Sequence, residues 1–179
     1  MDKMQPSVES VRELGLRQWL RQELLCWRSP ARTVVAAVCY RLQANGEIEF
    51  LLVRTRARRW TFPKGGVDGD PTAAVAAARE AHEEAGVLGR VEPRAFTRYQ
   101  HHKNAGATHT VDAHLCRVLQ LETPREAFRT PRWFSAEGAK RRLRDERPAF
   151  YADELERVVD QAVLRVTAGC SRTVVSHLN

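Results

Sequence analysis

The chain has 179 residues, 43% hydrophobic and 28% charged, a globular mixture that excludes a disordered polymer and suffices for one domain with a real core. Its net charge of +7 points to an anionic partner, but no ordered aromatic–basic motif of the RNA-binding type is present, so a nucleic acid is not expected. Cys26, Cys39, Cys116 and Cys170 lie far apart with no C-x-x-C pair, which excludes a zinc knuckle or disulfide framework.

With no secretory leader or long apolar span, the expectation is a cytoplasmic protein with reduced thiols and no membrane partner. Residues 1–30 read as an extension. Leu16, Trp19, Leu20, Leu24 and Trp27 follow helical spacing, and Ser29-Pro30 ends the run. Such a helix is expected to pack on its own domain or on a second copy, leaving monomer and homodimer both open. The globular domain is expected over 31–168, with 169–179 as a tail.

Thr33 to Leu42 is β-branched and apolar, Gln43 to Gly46 supplies turn residues, and Ile48 to Val53 is a second strand. Together they predict a hairpin. Arg54, Arg56, Arg58 and Arg59 then precede Trp60, Phe62 and Lys64 with no acid among them. They are either a solvated loop or a phosphate-facing rim.

The stretch Gly65 to Val87, GGVDGDPTAAVAAAREAHEEAGV, carries the chemistry. Alanine is the best helix former; Asp70 suits the N-cap, Pro71 the first helical position and Gly86 the left-handed end. Glu80, Glu83 and Glu84 stand at i, i+3 and i+4, which brings three carboxylates to one helix face with few basic residues on that helix to relieve them. A hard divalent cation would relieve them, because Mg²⁺ takes oxygen ligands and shares its remaining positions with waters and phosphates.

This stretch resembles the Nudix signature, G-x5-E-x7-R-E-U-x-E-E-x-G-U, where U is bulky and apolar. With Gly65 as the first glycine, Arg79, Glu80, Glu83, Glu84, Gly86 and Val87 fall in register, Ala81 is a small U, and Pro71 replaces the early glutamate. The resemblance implies an α+β fold, an α/β/α sandwich around a mixed β-sheet. It also implies hydrolysis of a pyrophosphate linkage, with Mg²⁺ (or Mn²⁺) held by Gly65, Glu80, Glu83 and Glu84. Arg79 is then expected to orient a metal-binding glutamate, and the general base to be a box glutamate or a later loop acid, Glu126 or Glu122.

Past this stretch, Val91 to Gln100 and Thr108 to Leu119 read as strands. His101, His102, His109 and His114 read as polar loop and strand residues, since imidazole suits Mg²⁺ poorly. Pro131 to Phe134 is a short strand, Ser135 can cap a helix through Leu143, and Leu155, Val158, Val159, Ala162 and Val166 mark an amphipathic helix.

Phe62-Pro63-Lys64-Gly65-Gly66 looks like the approach found in diphosphoinositol polyphosphate and diadenosine polyphosphate hydrolases. The expected substrate is therefore a small polyphosphorylated molecule, bound by Arg54, Arg56, Arg59, Lys64, Arg98 and Lys103. The alternatives are a nucleoside triphosphate or ADP-ribose pyrophosphatase, and a Nudix-fold module that binds a phosphorylated ligand without cleaving it.

Overall fold

Residues 33–102 and 108–175 of the chain are described by a computed structural model. The expected N-terminal helix and Lys103 lie outside the described residues. At the centre runs β1 (Val34–Leu42), whose side chains alternate between two cores. Ala36 and Val38 serve one face; Val35, Ala37 and Cys39 serve the other. A strand buried on both faces must be apolar throughout, and Val34 to Cys39 contains no polar residue.

β2 (Ile48–Arg54) returns antiparallel, with Tyr40 opposite Phe50 and Leu42 opposite Ile48. Their turn closes through the Gln43 N–H donating to the Glu47 carbonyl at 2.9 Å, with Gly46 at φ +84°. β3 (Trp60–Thr61) pairs with β2, and β4 (Lys64–Gly66) with the first half of β1. On its other side β1 runs parallel to β7 (Thr108–Leu121). β7 carries β6 (Thr97–His102) on its first half and β5 (Val87–Val91) on its second. β8 (Arg132–Ser135) adds to the free side of β2. The single parallel pair makes the sheet mixed, as expected.

Helices cover both faces. α1 (Ala73–Ala85) lies on one, giving Ala76, Ala77, Ala81 and Ala85 to the core of Val35, Ala37 and Cys39. α2 (Ala136–Arg144) and α3 (Ala149–Val175) cover the other, where Leu143, Leu155, Val158 and Val159 join Val38, Phe50 and Phe62. This is the expected α+β fold, an α/β/α sandwich. The two faces differ in kind. Each alanine methyl contributes only about 0.8 kcal/mol on burial, but it lets α1 sit close to the strands.

Three boundaries differ from the sequence reading. α1 begins at Ala73, and its N-cap is Thr72, whose Oγ1 accepts from the Val75 N–H at 3.2 Å. Asp70 is not the cap, because its carboxylate is taken by Arg79, and Pro71 stays outside the helix. The expected strand from Val91 to Gln100 is two strands, broken around Pro93, which has no N–H to give a ladder. The last helix runs on past Val166 and the expected boundary at 168 to Val175.

Gly86 ends α1 at φ +66°, and its N–H donates to the His82 carbonyl at 2.9 Å. A Cβ there would fall 2.0 Å from the Glu122 carbonyl oxygen, a backbone atom that cannot swing away. Gly86→Ala should therefore cost at least about 2 kcal/mol, more than the left-handed conformation alone would charge. Urea unfolding followed by circular dichroism measures it; a loss under about 0.5 kcal/mol would mean the cap relaxes freely.

Candidate active site

The site begins where β4 meets α1. Gly65 has no side chain, and a Cβ built on it would lie 2.1 Å from Oε1 of Glu80. Glycine leaves room for the carboxylate where it lies; any other residue would push that flexible side-chain end off the strand. One turn further along α1, Oε2 of Glu84 accepts from the Lys64 backbone N–H at 3.3 Å. Glu80 and Glu84 are buried, while Glu83 stands half-exposed beside them.

Arg79 fastens this end of the helix. Its Nε and Nη2 both donate to Asp70 Oδ2 at 3.1 Å, and Nη2 also donates to the Gly66 carbonyl at 3.0 Å. Nη1 donates to Glu80 Oε1 at 2.8 Å and Glu83 Oε2 at 3.1 Å. Its hydrogen bonds to Asp70, then the charge and acceptor oxygen of Glu80, hold the guanidinium charged well above its ordinary range. Arg79 thus ties Asp70, the β4 strand and two of the three glutamates to one planar group. Asp70 takes part in this through its carboxylate, not through the helix start.

The second cation is Arg129, which the sequence reading missed. It ends the short 3₁₀ turn Ala127–Arg129, and its Nη2 pairs closely with Glu84 Oε1. Its Nε donates to Glu126 Oε2 at 2.6 Å. The i, i+3 spacing of Glu126 and Arg129 is the one sequence signal that pointed to it, and nothing in the sequence tied that loop to Glu84. The carboxylates of α1 are therefore relieved by Arg79 on the helix and by Arg129 from a loop after β7. Arg125 adds a weaker contact, 3.5 Å from Glu83 Oε1.

Burial shifts the protons here. It pushes the Glu84 carboxyl up to about 7 against the pull of Lys64 and Arg129. Burial also raises Glu80, which Arg79 opposes, with Glu83 and Glu126 adding like-charge repulsion. The Lys64 ammonium goes the other way, down to about 8, chiefly through burial.

The expected binding residues divide. Lys64 stands beside Glu84, its backbone N–H on that carboxylate, and Arg54 adjoins through Arg129, whose Nη1 reaches the Arg54 carbonyl at 3.5 Å. Arg54 lies 4.6 Å over the Trp60 ring and Arg56 4.8 Å over Phe128, while Arg59 lies within electrostatic reach of Arg147 and Tyr151. Glu126 is brought to α1, its N–H donating to the Glu83 carbonyl at 3.2 Å. Glu122 instead faces His82 Nε2 at 3.2 Å. Arg98 is not brought to the carboxylates: it pairs with Asp112 Oδ1 at 2.6 Å, on β6 and β7. His101 Nδ1 meets the Tyr151 hydroxyl at 2.6 Å, and His114 Nδ1 meets the Glu92 carbonyl at 2.9 Å, so both are engaged within the fold.

The donor chemistry fits a hard divalent cation: carboxylate oxygens, two of them buried, around a glycine that leaves Glu80 space. In the described conformation the carboxylates rest on Arg79 and Arg129, and among the described residues no three acid, His or Cys groups converge as a metal set. A cation would have to compete with those arginines.

The Glu84 shift has a thermodynamic sign. Its folded value of about 7 exceeds the ordinary 4.5, so between them the folded chain holds a proton that the unfolded chain has released. Stability from this group is fully present below about 4.5 and declines as pH rises through 7, by at most about 1.4 kcal/mol per unit. Thermal unfolding of the metal-free protein should show a lower Tm at pH 7.5 than at pH 5.5. Glu84→Gln should flatten that difference; an unchanged slope would assign it to other groups.

Comparison with known proteins agrees with this geometry. A sequence model of the NUDIX domain matches residues 32–153, more than half of the chain. "Nudix hydrolase 21, chloroplastic" of Arabidopsis thaliana is 37% identical over 112 residues, covering 58% of this chain and 56% of that protein, so the chain spans about half its length. "Diphosphoinositol polyphosphate phosphohydrolase 2" of Rattus norvegicus is 28% identical over 139 residues, covering 77% of this chain and 72% of that one. Among solved structures, a C. elegans Ap4A hydrolase complex superposes with a TM-score of 0.54 at 23% identity, covering 76% of this chain and 98% of that one. A Clostridium perfringens NUDIX hydrolase gives 0.56 at 14% identity, with 74% and 98% covered. These two likenesses are of fold alone. The domain match, spread over the strands, the glycine loop and the acidic helix described above, establishes that the chain belongs to the Nudix family.

Proposed function

We propose that this protein hydrolyses a pyrophosphate linkage in a highly phosphorylated small molecule, a diphosphoinositol polyphosphate or a dinucleoside polyphosphate. The observation that carries the reading is a pair of buried acids braced by cations, Glu80 by Arg79 and Glu84 by Arg129 together with the Lys64 backbone N–H, next to the arginine-rich stretch that begins at Arg54. The names of two relatives support the substrate class, one a diphosphoinositol polyphosphate phosphohydrolase and one an Ap4A hydrolase.

The chemistry follows from charge. A diphosphate carries so much negative charge that water attacks it slowly, and catalysis is mostly positioning and charge stabilisation. Glu80, Glu83, Glu84 and the Gly65 backbone would hold Mg²⁺ or Mn²⁺, which would supply Lewis-acid neutralisation of that charge. Arg79 keeps Glu80 and Glu83 in a fixed orientation through its two-sided hydrogen bonding. Lys64 and Arg129 supply fixed positive charge beside the reacting diphosphate. Glu126, on a loop hydrogen-bonded to α1, is the acid we assign to accept the proton of the attacking water. Arg54, Arg56 and Arg59 hold the remaining phosphates. Among the described residues no helix is long and apolar enough to cross a membrane.

The non-catalytic reading has one observation behind it, namely that the carboxylates rest on arginines. Turnover separates the two. Glu83→Gln should lower Mg²⁺-dependent turnover at least about a hundredfold with the fold intact. Near-normal activity in that variant would remove α1 from the mechanism. A panel of diphosphoinositol phosphates, diadenosine polyphosphates, nucleoside triphosphates and ADP-ribose, read as kcat/KM, tests the substrate. A tenfold or greater preference for a nucleoside triphosphate or ADP-ribose, about 1.4 kcal/mol in transition-state binding, would overturn the class.

A further inference from the structure

We infer that an arginine-lined cavity beside the glutamates seats the non-reacting phosphates of the substrate and selects a phosphate cluster over a nucleobase. The inference rests on the hydrolase reading above and narrows it. The cavity, about 440 Å³ and open to solvent, is lined by Arg54, Arg56 and Arg58 on one side and by Phe128, Thr130 and Arg132 on the other.

Four cations share this space with no acid in the lining. Several other surface arginines are matched, as in Arg41–Glu49, Arg144–Glu156 and Arg157–Glu154, whereas Arg90, Arg94, Arg117 and Arg141 are unmatched among the described residues but line no part of this cavity. Among the described residues no carboxylate pairs with Arg54, Arg56, Arg58 or Arg132. Like charges gathered without partners repel one another, and an anion of several charges is the guest that relieves them.

The backbone holds the walls in unusual conformations. Arg58 has φ +61° and Thr130 φ +41°, so two of the three non-glycine residues in the left-handed region among the described residues border this one cavity. For β-branched threonine that region is a genuine outlier, and such strain gathers at ligand clamps. The Arg58 turn is fixed by Thr55, whose N–H donates to the Arg59 carbonyl at 2.8 Å and whose carbonyl accepts from Arg58 at 2.8 Å. The arginines are thus presented on a braced turn.

Phe128 decides between phosphate and base. An exposed phenyl ring at a nucleotide site would serve as a stacking platform. Here the guanidiniums of Arg56 and Arg129 already lie over that ring, at 4.8 and 4.9 Å. A purine stacked there would displace a cation from the ring, so the ring acts as a post that aims cations. Arg129, though not itself in the lining, links the cavity to the carboxylates: it contacts the Phe128 ring and the Arg54 carbonyl on one side and Glu84 and Glu126 on the other. A phosphate cluster seated in the cavity therefore lies next to the glutamates.

The test uses the full chain and inositol hexakisphosphate as a probe that lacks a pyrophosphate bond. Calorimetry on the metal-free protein should show Arg58→Gln/Arg132→Gln weakening the probe at least tenfold, and lowering the salt slope by about two. Arg90→Ala, an exposed arginine on β5, should change it less than twofold. Unchanged probe binding in the double variant would overturn the cavity. Phe128→Ala should lower kcat/KM for a diphosphoinositol polyphosphate more than for diadenosine tetraphosphate; the reverse order would establish base stacking and overturn the selectivity. The two readings fail separately. Probe binding that needs Arg58 and Arg132, with no substrate turned over, would sink the hydrolase reading and keep the cavity. Turnover of diphosphoinositol phosphates indifferent to the double variant would sink the cavity and keep the hydrolase.

Discussion

The contact between Gly65 and the Glu80 carboxylate is the constraint on which this end of the molecule depends. A buried acid can approach a strand so closely only where the strand has no side chain and the helix carrying it lies low on the sheet. The alanines of α1 set that height: Ala76, Ala77, Ala81 and Ala85 meet Val35, Ala37 and Cys39 with nothing larger than a methyl from the helix. Larger residues would bury more area and hold more stability, but they would lift Glu80 and Glu84 away from β4. Stability is therefore carried by the other face, where α2 and α3 bring leucines and valines to Phe50 and Phe62. The sandwich divides its work between a stabilising layer and a layer shaped by the site.

What could be read from the sequence follows from the range of the interactions. The hairpin of β1 and β2, the end of α1 at Gly86 and the Ser135 cap of α2 are local, and local chemistry specifies them. The spacing of Arg79, Glu80, Glu83 and Glu84 is local too, and its register identified the family. Asp70 was misread because two local roles compete. As an N-cap it would satisfy backbone N–H groups, but a charge-assisted pair with Arg79 is stronger, and Thr72 is free to cap in its place. Arg129 and Arg98 were illegible for a different reason. Arg129 meets Glu84 across forty-five positions of chain, and Arg98 meets Asp112 through the register of β6 on β7. Neither residue has a sequence neighbour that announces its partner. Pro93, which has no N–H for a ladder, ends the pairing between Val91 and Thr97 and so splits the run from Val91 to Gln100 between β5 and β6.

The electrostatics of the site form one system. Glu84 titrates near 7 and Lys64 near 8, each displaced toward the other by burial. The Lys64 charge and Arg129 both pull the Glu84 carboxyl down against that burial, and Glu84 in turn opposes the fall at Lys64. Arg129 supplies a second partner from a loop, and it shares itself between Glu84, Glu126 and the Phe128 ring. Such an arrangement keeps buried carboxylates in place before any ligand arrives, without freezing them into an ion pair too strong to open. An acid whose proton leaves near neutrality can exchange that proton for another positive charge at small electrostatic cost, because the site's net charge changes little. Under the proposed function this is why Glu80 and Glu84 are buried rather than solvated, with Glu83 half-exposed beside them. A solvated pair would be fully ionised and fully hydrated, and each would have to be stripped of water during binding; for Glu80 and Glu84 the fold has already done that stripping, and Arg79 and Arg129 offset its cost.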